Sequence, residues 1–466
     1  MKIFKIFLII TALMNFAGGG VLFTPETTVR TAMHLHSTYS YACTYSIEEI
    51  VARAKAKGLD AAIITDHDLI EVKYGIFPLR RVVRAGLELN SVFSEGVKKY
   101  FSDIENVQEK YPELLVIPGV ETSPFYFWET RKRSLVLNDW HKHMLVFGLS
   151  SADMEKLPTT GNKNSWKYRP VLLWPFLLVL LGILFFKRAY LVKFGVVLII
   201  AGGVFLANNY PFTAPEFDQY SGFKGSGPYQ RVLDYVEKKG GFTVWAHPEA
   251  DSNIDFPLIS SVKGRFFNAR LLLSTPPYPE VVTNTSGYNG ICIIEEGYKT
   301  IGRCGGLWDK VLFEYSTGLR KAPSFAFGET DYRKEGAGIA LDGVQNVVNS
   351  KKGDKKEFLK ALKTGKFYVL KKGLLPSFPV LEEFSETGNV KISMNDGSRK
   401  KLTITLIKDG FVQKIADGRT PFSMDFKILV PEKGKSYYRL EAVFKDGSLI
   451  ISNPVFIESA AAGKVK

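Results

Sequence analysis

Short apolar runs alternate with amphipathic helical patterns from residue 31 onward, which is typical of a sheet built from β/α units. One helical pattern begins at Ser46, where Ser46-Ile47-Glu48-Glu49 forms a capping box, and ends at Gly58. The runs predicted as strands number seven: Thr31–His36, Ala61–Thr65, Leu115–Glu121, His143–Leu149, Phe242–Ala246, Ile291–Glu295 and Phe325–Glu329. We therefore predict an α/β fold whose strands run parallel.

Two longer apolar segments interrupt this pattern between the fourth and fifth predicted strands. Val171–Phe186 and Tyr190–Ala207 are almost continuously hydrophobic, and Lys187 and Arg188 separate them. Each arm holds roughly 17 residues, about 25 Å of helix against a hydrocarbon core of about 30 Å. Few soluble helices are apolar on every face. We predict a transmembrane helical hairpin inserted into the α/β domain, and a buried hairpin of a soluble core is the alternative.

The two ends of the chain differ from its centre. The apolar segment from Ile6 to Phe23 is typical of a secretory signal or an uncleaved signal anchor. After about Gly373, strands alternate with turn signals such as Asn395-Asp396-Gly397, which predicts a small antiparallel β domain. The predicted domains are a signal peptide or anchor (1–29), an α/β domain in two parts (30–165 and 208–373), the inserted hairpin (166–207) and a β-sandwich-like C-terminal domain (374–466).

The net charge of +14 raises the question of a nucleic-acid partner. The densest basic run, Lys351 to Lys366, interleaves with Phe358 and Leu362 at helical spacing, as a solvated amphipathic helix does. We therefore expect no nucleic acid, and an anionic membrane surface is the better partner. The three cysteines have no paired spacing, which favours free thiols.

The candidate chemistry lies in histidines and carboxylates at the ends of predicted strands. The two-residue step in His34-Leu35-His36 turns both imidazoles to one side of a strand. Other candidates follow strand ends: Asp66, His67, Glu121, His247 and Asp331. Barrel enzymes hold their sites at this edge of the sheet. Imidazole and carboxylate ligands without cysteine suit zinc, manganese or iron, so the pattern predicts a metal centre.

Six ordered motifs resemble those of the PHP (polymerase and histidinol phosphatase) family. They are His34-Leu35-His36-Ser37, Thr65-Asp66-His67, Pro118-Gly119-Val120-Glu121, the run His143 to Gly148, Ala246-His247-Pro248, and the run Gly328 to Arg333. The region Trp308 to Arg333, the stretch Ala361 to Tyr368, and Tyr438-Arg439 with Ser452-Asn453-Pro454 resemble the carbaryl-hydrolase-like branch. The resemblance implies a distorted seven-stranded (β/α) barrel that hydrolyses phosphoesters or, in some branches, carbamates.

The resemblance also implies a ligand set for two divalent metal ions. One ion takes His34, His36, Glu121 and Asp331, and Glu121 bridges to a second ion held by His143 and His247. Two departures argue against a third ion. Arg333 stands where many family members have a histidine, and Ala42 or a neighbour stands where another histidine follows the first motif.

The remaining polar residues of the motifs receive supporting roles. Asp68 and Glu329 are expected to be structural or to support ligands, and His141 is expected to be exposed or to support a ligand. His67, free of metal, is the candidate proton donor, and Asp66 is grouped with it as catalytic. Arg333 is expected either to bind a phosphate oxygen or to pair with a carboxylate such as Glu335.

We therefore predict a membrane-tethered hydrolase that acts on a small phosphoester through a metal-bound hydroxide. A carbamate or amide hydrolase with the same metals and a non-catalytic metal-binding protein are the alternatives. Lys2 and Lys5, with Lys187 and Arg188 at the hairpin tip, favour a catalytic domain outside the cytoplasm. Three cations before the hairpin, Lys163, Lys167 and Arg169, favour the opposite orientation.

Overall fold

The computed structural model describes residues 21–24, 26–132, 134–262, 265–294 and 296–459. Most of the predicted signal segment, with Lys2 and Lys5, lies outside these residues, as does Glu295. The chain divides into two compact units. Among the described residues, the larger unit comprises those within 30–308 and 327–345, and the smaller unit comprises those within 21–29, 309–326 and 346–459.

The strands in chain order are β1 (Val21–Leu22), β2 (Thr28–Leu35), β3 (Ala61–His67), β4 (Ile70–Gly75), β5 (Arg84–Leu89), β6 (Leu115–Thr122), β7 (Phe127–Arg131), β8 (Ser134–Asn138), β9 (Met144–Phe147), β10 (Lys167–Tyr168), β11 (Thr213–Ala214), β12 (Phe242–Trp245), β13 (Ser252–Val262), β14 (Arg265–Thr275), β15 (Gly290–Cys292), β16 (Phe325–Phe327), β17 (Val344–Asn349), β18 (Phe367–Lys371), β19 (Pro379–Phe384), β20 (Asn389–Met394), β21 (Lys401–Lys408), β22 (Phe411–Arg419), β23 (Phe422–Asp425), β24 (Lys435–Phe444), β25 (Leu449–Ser452) and β26 (Val455–Glu458).

The α-helices in chain order are α1 (Ile47–Ala56), α2 (Val92–Glu95), α3 (Val97–Lys110), α4 (Ser151–Met154), α5 (Pro175–Phe186), α6 (Val192–Asn209), α7 (Gly227–Lys238), α8 (Pro279–Thr283), α9 (Leu307–Ser316) and α10 (Lys355–Lys363). Short 3₁₀ turns occupy Lys163–Ser165, Pro170–Leu173 and Ala189–Leu191, and a π turn occupies Tyr298–Gly302.

The seven predicted strands are all present and are neighbours in one sheet, in the order β16-β15-β12-β9-β6-β3-β2. β2, β3 and β6 pair in parallel, as do β12 and β15. β9 runs antiparallel to both β6 and β12, so the prediction of a uniformly parallel sheet was wrong there. The chain leaves β6 and returns to β9 at the same end of the sheet, without a crossover helix, and such a connection requires antiparallel pairing.

Backbone hydrogen bonds also join the segment after β16 to the first strand. The Thr330 N–H donates to the Met33 carbonyl at 3.1 Å, and the Tyr332 N–H donates to the His34 carbonyl at 3.0 Å. The His36 N–H donates back to the Tyr332 carbonyl at 2.9 Å. These bonds link the two outermost of the seven strands.

The predicted helix signals are confirmed in the larger unit. At α1 the Ser46 hydroxyl accepts from the Glu49 N–H at 3.2 Å and Glu49 accepts from the Ser46 N–H at 2.7 Å, which completes the capping box. The buried face of α1 is the predicted one: Ile47, Ile50, Val51 and Ala54. Both helix and strand patterns therefore form as the local periodicity indicates.

A second sheet of the larger unit was not predicted. Its strand order is β13-β14-β8-β7, and it buries a cluster formed by Tyr126, Trp128, Leu137 and Leu273. β8 ends at Asn138, six residues before β9 begins. This sheet therefore holds the chain segment that leads into β9.

The two apolar segments form helices α5 and α6. The second, extended to Ala189–Asn209 by its preceding turn, has 21 residues and a mean hydropathy of 2.2, and 11% of its apolar window is buried. It is long and apolar enough to cross a membrane, whereas the first is shorter. The helices meet at Gly182 and Gly195, where a Cβ on either glycine would lie 2.7 Å from the carbonyl oxygen of the other.

The smaller unit consists mainly of antiparallel strands, as predicted for the C-terminal region. β18-β25-β24-β21-β22 form one group, with β26 on β24, and β1-β19-β20-β23 form a separate sheet. Both contribute to one apolar core. The basic run forms α10, an amphipathic helix that buries Phe358 and Leu362, as predicted. Residues 346–373 belong to this unit, and the predicted boundary at 374 stays a prediction.

Candidate metal centre

The centre is built around the carboxylate of Glu121, which is 1% exposed and lies near the end of β6. Its Oε1 is 3.2 Å from His34 Nε2, 2.6 Å from His143 Nδ1 and 3.0 Å from His247 Nε2. Its Oε2 is 3.3 Å from His36 Nε2 and 3.2 Å from His67 Nε2. Five imidazoles thus surround one buried carboxylate. Burial alone would raise the pKa of Glu121, but the imidazoles, His143 first among them, hold it well below its usual range.

His34 and His36 reach this carboxylate from the end of β2. The register of β2 shifts between Met33 and Leu35, and His34 adopts a φ of 68°. The two rings lie 5.0 Å apart on the same side of the chain, as their spacing predicts. His36 Nδ1 lies 3.1 Å from Ser40 Oγ, which holds the ring from behind.

Asp331 joins the His34 and His36 side of the centre. Its Oδ1 is 3.1 Å from His36 Nε2 and 3.8 Å from His34 Nε2. Asp331 itself has a φ of 41°, in the left-handed region that non-glycine residues seldom adopt. The four ligands expected for the first ion are therefore neighbours in the fold.

His143 and His247 lie on the opposite side of Glu121. His143 precedes β9, and because β9 is antiparallel it reaches the same edge as the residues that follow β2 and β6. His247 follows β12, and its N–H donates to Glu329 Oε1 at 2.7 Å. Both expected ligands of the second ion are therefore in place.

His141 also reaches this side, although the sequence did not place it among the expected ligands. One ligand nitrogen from each of His141, His143 and His247 lies within 4.8 Å of the others. The His-x-His spacing at 141 and 143, the same as at 34 and 36, was the available signal.

His67 forms a third grouping with Glu121 and His143. Its ring stacks on His36 at 4.6 Å, and its Nδ1 lies 3.3 Å from Ser40 Oγ. Burial lowers the pKa of His67 well below its usual value. A neutral imidazole is suited to accept a proton or bind a metal, and less suited to the expected role of proton donor.

Asp66 contacts the loop after β2. Its carboxylate accepts hydrogen bonds from the Ser37 N–H at 2.6 Å, the Ser37 hydroxyl at 2.7 Å and the Ser40 hydroxyl at 2.7 Å. Ser40 in turn contacts both His36 and His67. Through these contacts Asp66 positions Ser37 and Ser40. The sequence, in contrast, had placed Asp66 among the candidate catalytic residues.

Glu329 contacts two of the expected ligands, whereas Asp68 contacts Thr122, the residue after Glu121. Glu329 Oε2 lies 2.6 Å from His34 Nδ1, so one carboxylate orients His34 and the backbone of His247 together. Asp68 accepts from the Thr122 hydroxyl at 2.6 Å, and burial raises the pKa of Asp68 to about 7.

Arg333 has a different partner from the one expected. Its Nε is 3.1 Å from Asp331 Oδ1 and its Nη2 is 3.3 Å from Asp331 Oδ2. Glu335 instead lies 3.8 Å from Arg53. Arg333 thus pairs with a carboxylate, but the carboxylate is that of Asp331 and not that of Glu335. The two-residue step from 331 to 333 brings both side chains to the rim of the centre.

The donor set fits divalent cations. Six buried atoms of the centre make no well-directed hydrogen bond within the described part of the chain, although four of them lie within 3.3 Å of an imidazole nitrogen or a carboxylate oxygen: His34 Nε2, His36 Nε2, Glu121 Oε2, His141 Nδ1, His143 Nδ1 and His247 Nδ1. Leaving a buried polar atom unpaired costs about 1–3 kcal/mol. Coordination by a metal would satisfy these nitrogen and oxygen lone pairs, and such mixed donors suit zinc, manganese or iron.

Residues 32–172 match the family model of the PHP domain. This range contains His34, His36, His67, Glu121 and His143. This part of the chain is thus similar to the PHP domain, and the match together with the His/Glu clusters supports a metal-dependent hydrolase.

A solved structure from Bifidobacterium adolescentis, which carries the provisional name of metal-dependent phosphoesterase, matches 71% of this chain and 95% of its own length. The identity is 13% and the TM-score is 0.29, a likeness too low to support an argument. No curated protein matches the chain significantly.

Proposed function

We propose that this protein is a membrane-tethered phosphoesterase with two divalent metal ions, zinc, manganese or iron, around Glu121. The observation that carries the proposal is the buried Glu121 carboxylate, which has five histidine nitrogens within 3.3 Å. A hydrogen-bonded structural cluster would leave fewer lone pairs unpaired than this centre does. The PHP domain match is the second support.

The ligands of the first ion are proposed to be His34, His36, Glu121 and Asp331. His143 and His247 would hold the second ion, with Glu121 as the bridge. When bound, two such cations activate a water molecule and neutralise negative charge that builds on the substrate.

The residues at the rim would bind the substrate. Asp331 and Arg333 have side chains 38% and 39% exposed, whereas Glu121 and the imidazoles are largely buried. A substrate would therefore approach the centre beside Arg333, whose guanidinium can bind a phosphate oxygen.

Hydrolysis adds water across the ester: the water oxygen bonds to phosphorus, the ester oxygen leaves, and a proton from the water passes to it. We assign that proton transfer to His67, whose neutral imidazole would first accept the proton from the water and then pass it to the ester oxygen. Its Nε2 lies 3.2 Å from Glu121 Oε2. Ser40 holds the other ring nitrogen, so the imidazole is kept in one orientation.

The seven strands are proposed to form the distorted barrel of the PHP type. The hydrogen bonds between the segment after β16 and the end of β2 support closure, because they join the two outermost strands of the seven. The ligands then converge from several strands at one edge of the barrel.

The tether is proposed to be a transmembrane hairpin formed by α5 and α6. Large apolar side chains on both helices are exposed, for example Leu177 at 68% and Ile200 at 62%. A soluble monomer seldom exposes so large a continuous apolar surface. Close contact through Gly182 and Gly195 is the packing that membrane helices favour. The catalytic domain is proposed to lie outside the cytoplasm.

One observation favours a second candidate, a carbamate or amide hydrolase with the same metals. Arg333 is already paired with Asp331, so its guanidinium is less available to a phosphate. A neutral ester needs no such cation.

The test is a substrate screen of the full chain in nanodiscs. Chelated protein would be reloaded separately with zinc, manganese or iron and assayed against phosphomonoesters, phosphodiesters and carbamate esters. The proposal expects metal-dependent phosphoester hydrolysis that Glu121→Gln abolishes, while Glu109→Gln, at an exposed position of α3, retains activity. Hydrolysis of carbamates alone would support the second candidate, and turnover unaffected by chelation would contradict both.

A further inference from the structure

His141 lies in the turn between β8 and β9, two residues before His143. Its N–H donates to Thr275 Oγ1, at the end of β14, at 3.0 Å. The preceding Asp139 N–H donates to the Ser274 carbonyl at 2.9 Å. The second sheet of the larger unit therefore fixes the backbone that presents His141 to the centre.

The His141 ring lies beside the rings of two proposed ligands, His143 and His247. Its centroid lies 4.5 Å from that of His143 and 4.5 Å from that of His247, with ring planes tilted by 39° and 35°. The centroids of His143 and His247 are 5.2 Å apart. Each member of this trio keeps a buried Nδ1 without a hydrogen-bond partner among the described residues.

Packing alone does not account for this arrangement. His141 does stack near Trp140, with centroids 5.1 Å apart, but a ring that only packed would direct its nitrogens to water or to a hydrogen-bond partner. One ligand nitrogen of each ring lies within 4.8 Å of the other two, which is the closeness that a single cation bound by all three imidazoles requires. The carboxylate of Glu121 touches two of the three imidazoles and supplies the negative charge that a divalent ion needs.

We propose that His141 is a direct ligand of the second ion, which would then be held by His141, His143, His247 and Glu121. This inference rests on the proposed function only in requiring that the centre binds divalent metal. Four protein donors match the closed, four-coordinate sites that zinc forms in proteins. The position held by His34, His36, Glu121 and Asp331 also has four protein donors, but it lies next to the exposed rim, where the Asp331 side chain is 38% exposed. The two ions would thus have different roles, since the one beside His141 anchors the centre and the one beside Asp331 meets the substrate.

Cobalt(II) titration of the metal-free full chain in detergent tests this assignment, because the absorption of cobalt reports coordination geometry without any turnover. The wild type should bind one cobalt tightly with the intense visible bands of a tetrahedral site, and a second more weakly. His141→Phe, which fills the space but offers no lone pair, should weaken the tight position by at least roughly 10–100-fold, the loss that follows removal of even a supporting partner of a ligand. Its tetrahedral bands should be lost as well.

His141→Asp, which restores a donor, should recover part of the affinity. His36→Ala is the matched control and should weaken only the other position. The inference is overturned if His141→Phe binds both ions with wild-type affinity and spectrum. It is equally overturned if both positions weaken together with a lower thermal stability of the metal-free protein, since that result indicates a structural role. A wild type that binds no divalent metal would defeat the proposed function itself.

Discussion

Arg333 pairs with Asp331 by two contacts, Nε to Oδ1 at 3.1 Å and Nη2 to Oδ2 at 3.3 Å. The same Oδ1 lies 3.1 Å from His36 Nε2. Arg333 is therefore placed to act on the centre in two ways, by orienting a proposed ligand and by binding a substrate anion at the rim.

Arg333→Ala should lower kcat/KM for a phosphoester. The corresponding activation free energy should rise by about 1.5–3 kcal/mol, the value of a hydrogen bond to a charged group. Activity on a neutral carbamate ester should fall much less, and metal content should stay unchanged. Arg53→Ala, which removes the arginine beside Glu335, is the control and should leave both activities intact. An equal loss on both substrates would show that Arg333 acts only through Asp331.

Metal analysis of the purified protein should give about two ions per chain, since the proposed ligands divide between two positions on either side of Glu121. Removal of the ions by a chelator should lower Tm, because ligands that bind only the folded state stabilise it. Emission spectrometry and a thermal scan measure the two effects. Three ions per chain, with His67 holding the third, would contradict the expected number.

Glu329→Gln should weaken metal binding by roughly 10–100-fold. The glutamine oxygen can still accept from the His247 N–H, but the negative charge beside His34 Nδ1 is lost, and with it the support that fixes this imidazole. Competition with a fluorescent chelator measures the affinity. Glu335→Gln serves for comparison, and an affinity equal to wild type in Glu329→Gln would exclude a supporting role.

Gly195→Leu should destabilise the helical hairpin by about 1–3 kcal/mol, because its side chain would meet the Gly182 carbonyl oxygen within 2.7 Å. Gly203→Leu lies on the same helix and meets nothing within 4 Å, so it should be neutral. Thermal unfolding in detergent would be compared between the two variants. A similar loss of stability in both would indicate that the close approach of the helices is unimportant.

A periplasmic-type reporter fused to the C-terminus should be active, because the catalytic domain is proposed to lie outside the cytoplasm. Paired fusions to a reporter that works only in the cytoplasm provide the complement. Activity of the cytoplasmic reporter alone would reverse the orientation, as the cations Lys163, Lys167 and Arg169 favour.

The sequence by itself determined the local elements and the identity of the donors. Capping at Ser46, the buried face of α1 and all seven strands of the sheet follow from neighbouring residues, because periodicity records which side chains face the core. The His-x-His step at 34 and 36 likewise indicated two neighbouring imidazoles. Their rings do lie 5.0 Å apart, although β2 ends at Leu35 and His34 adopts a φ of 68°, which the step alone does not predict.

Only the tertiary structure decided which donors meet. His143 comes before β9, whereas Glu121 and His247 lie at the ends of β6 and β12. Because β9 runs antiparallel to both of these strands, His143 lies at the same edge of the sheet as Glu121 and His247. His141 enters the centre because Thr275, 134 residues further along the chain, holds its backbone. Strand direction and the pairing of distant segments depend on how connections cross the sheet, and the local pattern of apolar and polar residues carries no record of that.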